Sequence, residues 1–597
     1  METVRSRWVV PALAGLVLVS LGVGMAGGFV WDDSPLIVES SRVKDVARLG
    51  EILTTGFWET ADSHDRFRAF FRPLVSSSYA LDHAIWGLSP VGFHLTNLLL
   101  HFACTLLVLR ICRDAGLGVR AAFCGAALFA VHPVHVESVA WISGRTDLLA
   151  TLFLLVSFAA FTRGEVQRGW RWVSWVCFLA ALFSKEAAAP LPAIVFVAVW
   201  VRAKPRTRLR EAISASLPFF LVLALYAIVR TQALGGGTTP LYDLEPLAWV
   251  ATALFVVARY LTLMILPLGL DAHYPYQPLT TLLDARVAVA VGMLALVGFG
   301  LYRLARINRR ALLWPAWIAL ALTPVLTFGR FGDVLLADRF VYLPSVGLCV
   351  LAACGAQAVL DAGSRRWTTV AAGSLAVALV LLSAATFSRS LVWDSDERLF
   401  SDMLKTSPSS ALVHNNLGRA LYERDEIVRA IEHFERAAEI APGYSQAHNN
   451  LAAGLHATGR TDEALLHYNE ALRLSPGLMM AGANGGHLLV ELGHVREGLE
   501  ILRETARLHP DAPVALFAYS DALHLAGRSA DALVLLDRIA LIDAAFPSAY
   551  YLRGKIHSDA GRLDVAAREM ETYLDLWDSE DRTADRARAV IARAAAS

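Results

Sequence analysis

NNLGRALYERDEIVRAIEHFERAAEIAP, residues 415–442, returns 34 residues later as NNLAAGLHATGRTDEALLHYNEALRLSP, residues 449–476. Pro408, Pro442, Pro476 and Pro510 keep that period, as do Gly459, Gly493, Gly527 and Gly561. So do the small residues Ala430, Ala464, Gly498, Ala532 and Ala566, and the larger Phe434, Tyr468, Leu502, Leu536 and Met570. A repeat of this length is one helix–turn–helix unit. Its small residues let two helices approach, the larger side chain fills the groove between them, and proline ends the second helix.

Repeats with this period and pattern are tetratricopeptide (TPR) repeats, and about five are expected over 411–580, followed by a tail over 581–597. Asn416, Asn450 and Asn484 share one position in the unit, and the series ends there because Ala518 and Leu552 follow. A carboxamide both donates and accepts, so a ladder of them would hold an extended peptide backbone whatever its sequence. The alternative is three solvated side chains. On the ladder reading these asparagines are the acceptor-binding candidates.

Outward from the repeats, toward residue 1, the composition changes. Of 597 residues 55% are hydrophobic and 18% charged, a balance that water alone does not solvate in a chain of this length. The long apolar stretches all precede residue 390. Apolar runs of spanning length lie near 8–30, 93–112, 119–140, 147–163, 171–184, 187–201, 212–230, 287–306, 311–328, 340–360 and 367–387. The expected fold is therefore all-α: a polytopic transmembrane bundle of about 11 crossings over 1–390, a linker over 391–410, and the TPR solenoid over 411–580. The first run lacks a small-residue cleavage site and reads as a retained span.

Every second loop is basic. Arg5 and Arg7 precede the first span; Arg110, Arg113 and Arg120 join the next two; Arg163, Arg168 and Arg171, then VRAKPRTRLR (201–210), ARINRR (305–310), and Arg365 with Arg366 follow alternate crossings. The positive-inside rule places the N-terminus in the cytoplasm, and an odd number of crossings places the repeats outside it. An apolar segment at 248–270 breaks this parity if it crosses, and it carries Arg259; it reads as re-entrant or interfacial, beside a protein-lined cavity. Five lysines against 49 arginines suggest a GC-rich bacterial genome, hence an inner membrane with periplasmic repeats; in a eukaryote the same topology gives an endoplasmic-reticulum membrane with luminal repeats.

The zero formal net charge and the lack of a basic patch interleaved with aromatics argue against nucleic acid. All six cysteines sit in apolar stretches without ligand spacing and read as small core fillers. No phosphate-binding glycine loop occurs, since Gly235, Gly236 and Gly237 follow no strand.

The polar groups of the membrane half concentrate at what this topology makes its outer ends. WDDSPLIVES (31–40) carries Asp32 and Asp33, adjacent carboxylates that raise one another's pKa and supply a general base; the alternative is a polar stop to the first span. HPVHVESVAWISGRTD (132–147) brings together His132, His135, Glu137, Arg145 and Asp147. Ser184, Lys185 and Glu186 mark the next outer turn, and ADRFVYLP (337–344) carries Asp338, Arg339 and Tyr342. Ionisable residues at such depth point to function, the bland reading being salt bridges that fix helix ends. Only a weak case exists for a divalent metal held by His132, His135 and Glu137, and no cofactor is implied.

FVWDDSPLI (29–37), FRPL (71–74) with Tyr79 and Asp82, GFHLTNLLLH (92–101), HPVHVESVAWISGRTDLLA (132–150), SKE (184–186) and ADRFVYLP, completed by the repeats, resemble the TMTC family: transmembrane, TPR-containing protein O-mannosyltransferases of the wider GT-C class. The chain departs from the family pattern after the paired aspartates, reading Val38, Glu39, Ser40, Ser41 and Arg42 where an Asn and a further Asp are usual. The resemblance implies transfer of mannose from a polyprenyl- or dolichyl-phosphate-linked donor to Ser or Thr of a protein. In that chemistry Asp32 or Asp33 takes the hydroxyl proton, and Arg145, Arg339, Lys185 and Arg259 meet the leaving phosphate. His132, His135 and Glu137 would orient donor or acceptor, and a single displacement inverts the anomeric centre. The competing reading is a non-catalytic membrane anchor whose repeats organise envelope proteins. A transporter would call for inverted repeats, and none is visible in the sequence.

Overall fold

The computed structural model describes residues 7–58, 70–164, 167–234, 244–327, 335–577 and 582–596; Arg5 and the glycines 235–237 lie outside these. The chain forms two compact units, 1–408 and 409–597. Both are helical, and no strand occurs among the described residues.

In the first unit nine described helices are long and apolar enough to cross a membrane, or ten if the bent pair Val119–Ala130 and Pro133–Ala140 is one span. The expected count of eleven is thus close but high, and the reason is local. The run 171–184 becomes a helix of only 15 residues, Trp170–Ser184. The run 187–201 opens with a short turn of 3-10 helix, leaving Leu191–Arg202 with 12 residues, about 18 Å against a core of about 30 Å. The run 119–140 bends by 51° at His132–Pro133. Proline disfavours helical backbone in the residue before it, and His132 is accordingly extended (φ −75°, ψ 125°).

Residues 248–265 of the segment 248–270 lie in one helix, Pro246–Ile265, with the length of a crossing, and 266–270 follow it as non-helical chain. Its ends, however, are held to one rim of the bundle. Trp249 Nε1 donates to Leu326 O at the end of Arg309–Thr327, and Met264 O accepts from His132 Nε2 at the end of Val119–Ala130. Those two helices both run antiparallel to Tyr342–Asp361: Trp317 Nε1 donates to Leu343 O, and Gly118 N donates to Gln357 Oε1. Their C-terminal ends therefore share a rim, across which Pro246–Ile265 lies.

Burial separates the helices by role. Of the apolar window in Ile142–Gly164, 72% is buried, against 11% in Ala285–Ile307 and 6% in Arg365–Asp394, so the first is the core of the bundle and the others are its lipid-facing wall. All six cysteines are free, and Cys104, Cys112, Cys124 and Cys349 are buried.

The stretch 391–410, expected as a linker, carries the helix Asp396–Thr406, whose Leu399, Phe400 and Met403 are buried. It is fastened to the membrane unit: the backbone N–H of Trp31 donates to Asp396 (2.7 Å), Thr406 donates to Asp271, and Ser407 Oγ donates to His273 O (3.2 Å).

The second unit is five helix pairs, from Ala411–Glu423 with Ile427–Ile440 to Pro547–Asp559 with Leu563–Leu576. Each turn between paired helices needs one left-handed residue, supplied by Gly459, Gly493, Gly527 and Gly561 and, in the first repeat, by Asp425 (φ 64°). The periodic small residues are all buried. In the third repeat both contacting positions are glycine, and a Cβ on Gly498 would stand 2.5 Å from Gly486 O. Residues 582–596, within the expected tail, form a last helix whose Ala587 and Val590 pack with Met570 and Tyr573.

Candidate functional site

The two aspartates of the Trp31–Asp32–Asp33 corner do different things. Asp33 is fully buried and accepts from Val30 N (3.0 Å), Ser143 N (2.8 Å) and the Ser143 hydroxyl. Burial pushes its carboxyl up to about 7, a rise that these hydrogen bonds oppose and the charge of Asp32 reinforces. Asp33 thus pins the first loop to the turn before Arg145. Asp32 remains half-buried. Trp31 between span and aspartates has a left-handed backbone (φ 56°), unusual for a large side chain. Its ring stacks on Trp141 (5.6 Å, 25°), which stacks on Trp393 (5.7 Å, 24°).

Arg145 is fully buried and its donors are used inside the fold. Nη2 pairs with Asp82 (2.6 Å) and donates to Phe93 O (2.9 Å), Nε donates to Asn97 (2.8 Å), and Nη1 lies 3.3 Å from Ser78 O. The expectation that it meets a leaving phosphate is corrected: a guanidinium with no exposed surface and these partners ties helices together. His132 and His135 are likewise framework. His132 bonds Met264 O (2.9 Å), and His135 bonds Phe129 O and Ser345 Oγ (2.8 Å each). Both rings are spent on internal partners, so their expected contact with donor or acceptor is corrected too. Glu137 is paired with Arg339 through both the guanidinium and the backbone N–H (2.8 Å). Among the described residues no group of three or more His, Cys, Asp or Glu is arranged to hold a metal ion.

Arg339 and Arg72 are partly exposed, and Lys185 is buried but not fully enclosed. The side chain of Arg339 is 15% exposed, that of Arg72 11% and that of Lys185 9%, against 0% for Arg145. Arg339 lies over Trp141 (5.5 Å) and Phe340 (5.0 Å), and Lys185 over the same Phe340 (5.5 Å). Lys185 bonds both oxygens of Asp147 (2.7 and 2.6 Å). Its ammonium is lowered to about 8, chiefly by burial, with Arg72 and Arg339 adding and Asp147 opposing. Arg72 and Arg230 flank Glu186 at 3.4 and 3.8 Å. The charge of Asp32 is felt at Arg339. The rim therefore gathers Asp32, Arg339, Lys185 and Arg72 from four separate stretches of chain. Arg259 stands at another part of it, over Tyr274 (5.9 Å), with Nη2 3.5 Å from Gly269 O.

Arg72, Arg230, Asp82 and Asn97 were not singled out as site residues from sequence. Arg72 stood in the FRPL motif, and the signal that would have raised it is an arginine beside a proline at the end of a polar loop. Arg230 closes the apolar run 212–230, where a basic residue reads as an ordinary helix end.

In the repeat unit Asn416, Asn450 and Asn484 are half-buried on the first helices of their repeats. Asn450 Nδ2 donates to Asn415 (2.9 Å), and Asn449 Nδ2 to Asn450 (3.1 Å), so the neighbouring Asn415 and Asn449, unremarked in the sequence, join the row. Asn484 lines a cavity with His487, Phe517 and Asp521.

Tetratricopeptide-repeat family profiles match residues 409–476 and 484–550. Protein O-mannosyl-transferase TMTC3 of Homo sapiens is 25% identical over 72% of this chain and 51% of its own length. TMTC4 of Homo sapiens is 28% identical over 72% of this chain and 66% of its own, and Tmtc3 of Drosophila melanogaster 25% over 69% and 53%. The chain spans about half to two thirds of the length of these relatives. Over about 70% of its length the chain is similar to the TMTC protein O-mannosyl-transferases, and over 409–476 and 484–550 it carries tetratricopeptide repeats.

Proposed function

We propose that the chain is a membrane glycosyltransferase that moves a sugar, mannose by analogy with the names of its relatives, from a polyprenyl- or dolichyl-phosphate-linked donor to a Ser or Thr hydroxyl of a protein. The observation that carries this reading is the gathering of a half-buried carboxylate, Asp32, with the cations Arg339, Lys185 and Arg72 at one rim. A scaffold would have no use for two partly exposed arginines and a buried lysine set among aromatics at that depth.

In the proposed reaction the acceptor oxygen bonds to C1 of the sugar and its proton passes to Asp32. The bond from C1 to the phosphate oxygen breaks, and the electron pair leaves on the lipid phosphate. Arg339, Lys185 and Arg72 stabilise the charge that grows there. A guanidinium has five N–H donors, so Arg339 retains several beyond its pair with Glu137. One displacement inverts C1, as in the GT-C class. Asp33 is a positioning residue that sets the Asp32 loop through Ser143. The basic loops support an N-terminus in the cytoplasm with Asp32 and the repeats on the far side, in a bacterial inner membrane or, in a eukaryote, the endoplasmic reticulum. The repeats hold the protein acceptor through Asn416, Asn450 and Asn484.

Membranes containing the Asp32→Asn protein, supplied with polyprenyl-phosphate mannose and a Ser/Thr-rich protein acceptor, are expected to insert the chain normally and lose about 10²–10⁴-fold in transfer. Transfer at the wild-type rate would remove Asp32 from the chemistry. Absence of transfer by the wild type with polyprenyl- and dolichyl-linked donors alike would leave the anchored scaffold as the better account.

A further inference from the structure

The first helices of the second, third and fourth repeats, Ser445–Ala457, Met479–Glu491 and Pro513–Leu525, together line a cavity of about 250 Å³. Its wall is mixed. Val514 and Phe517 supply apolar surface, Asn484 a carboxamide, and Asp521 a carboxylate. A polar chain runs along it from repeat to repeat: His487 Nε2 donates to Asp521 Oδ2 (2.8 Å), His487 Nδ1 is 3.4 Å from Glu491, and His456 Nε2 is 3.6 Å from the other oxygen of Glu491. The hydrogen bond to Asp521 raises His487 above the ordinary histidine range against the effect of burial. Burial alone would raise Asp521, but the hydrogen bond and charge of His487 hold it low.

The charges around the cavity favour a cation. Asp521 lines it, Glu491 stands beside the lining His487 and His456, Asp559 lies 3.6 Å from His524 on the fourth repeat, and the charge of Lys555 acts on Asp521. With the histidines neutral, the carboxylates outnumber the ammonium. An anionic occupant would be repelled, and a purely apolar one would leave Asp521 facing hydrocarbon. A long basic side chain fits both features, laying its methylenes on Val514 and Phe517 and its head on Asp521, with the ring of Phe517 adding a cation–π contact.

We propose that this cavity takes the Lys or Arg side chain of an extended peptide whose backbone is held by Asn484, and that protonation of His487, which sits on Asp521, loosens the hold. This rests on the reading of the repeats as an acceptor-binding surface and names the class of acceptor, a segment with a basic residue near its Ser or Thr. Lowering the pH converts the histidine–carboxylate chain from net negative toward neutral, so basic peptides bind best above the raised pKa of His487 and are released below it.

The test uses the full chain in detergent micelles and labelled extended peptides that differ only at one central residue, Arg, Leu or Glu, read by fluorescence anisotropy. At about pH 7.5 the Arg peptide is expected to bind about tenfold more tightly than the Leu peptide, with Glu weakest, and at about pH 5.5 the preference should shrink several-fold. Asp521→Asn should erase the preference for Arg, and His487→Gln should keep the preference and flatten its pH dependence. Equal binding of Arg and Leu peptides, tightest binding of Glu, or an undiminished preference in Asp521→Asn would overturn the proposal. The wild-type peptide series decides the matter even where a variant fails to fold. No sugar donor is involved, so the series is unaffected if Asp32 proves not to be the base; failure of the wild type to bind any of the peptides would overturn both this proposal and the acceptor-binding reading of the repeats.

Discussion

The same chemical pair, arginine with a carboxylate, does opposite jobs in the two units. In the membrane unit Arg145 and Asp82 meet at 2.6 Å with almost no exposed surface, and each is also enclosed by neutral hydrogen-bonding groups. In the repeats Arg473–Glu470 and Arg507–Glu504 meet at the same 2.6 Å, but on open helix faces with the arginines 68% and 67% exposed. Removing water from an ion pair makes each partner indispensable to the other, whereas solvated pairs are nearly free to come apart. Identical distance therefore says little about energetic weight.

The sharpest way to break this contrast is Arg145→Met, which leaves Asp82 buried and unpaired; a loss of about 3–5 kcal/mol is expected. It would be read as a collapse in folded protein by size-exclusion in detergent or in thermal midpoint, and near-wild-type stability would show that water reaches the pair. Next comes packing within the repeats. Gly498→Ala places a Cβ against the Gly486 carbonyl and Val490, neither of which can move without shifting a helix, at a cost of about 1–3 kcal/mol. The smallest effect belongs to Arg473→Ala, expected within about 0.5 kcal/mol by thermal denaturation, and a larger loss would mean that the surface pairs act as a network.

The repeats were legible because their signal is redundant. The buried residues 430, 464, 498, 532 and 566 recur at one spacing, and each copy checks the others. The single departure, Asp425 in place of a turn glycine, did not disturb the pattern. The membrane unit offers no such redundancy. Its apolar runs announced the helices, but hydropathy does not register where a helix breaks, so Leu191–Arg202 was read as long enough to cross and the bend at Pro133 was missed. The helix Asp396–Thr406 has charged residues on one face and three buried apolar ones on the other, and the absence of a long apolar run made it look like a linker.

At the candidate site the sequence shows which polar stretches lie at helix ends, but not which of their side chains the fold encloses. Asp32 and Asp33 are indistinguishable in a string of letters. Only the fold reveals that Ser143, 110 residues away, takes one of them. Arg145 and Arg339 look alike as well, and what separates them is how many neighbours from other helices enclose each guanidinium.

The corner holding Asp32 also has a history in the making of the chain. Gly28 N donates to Asp394 O, Trp31 N donates to Asp396 across 365 residues of sequence, and Trp141 is sandwiched between Trp31 and Trp393. The clasp that fixes the first loop is thus assembled from residues translated last in this unit. A nascent chain halted before Trp393 has Asp32 and the tie through Asp33 to Ser143, but lacks the bonds to Asp394 and Asp396 and one face of the Trp141 sandwich. The last of the contacts on this loop therefore form only after the final apolar helix of the unit has been made.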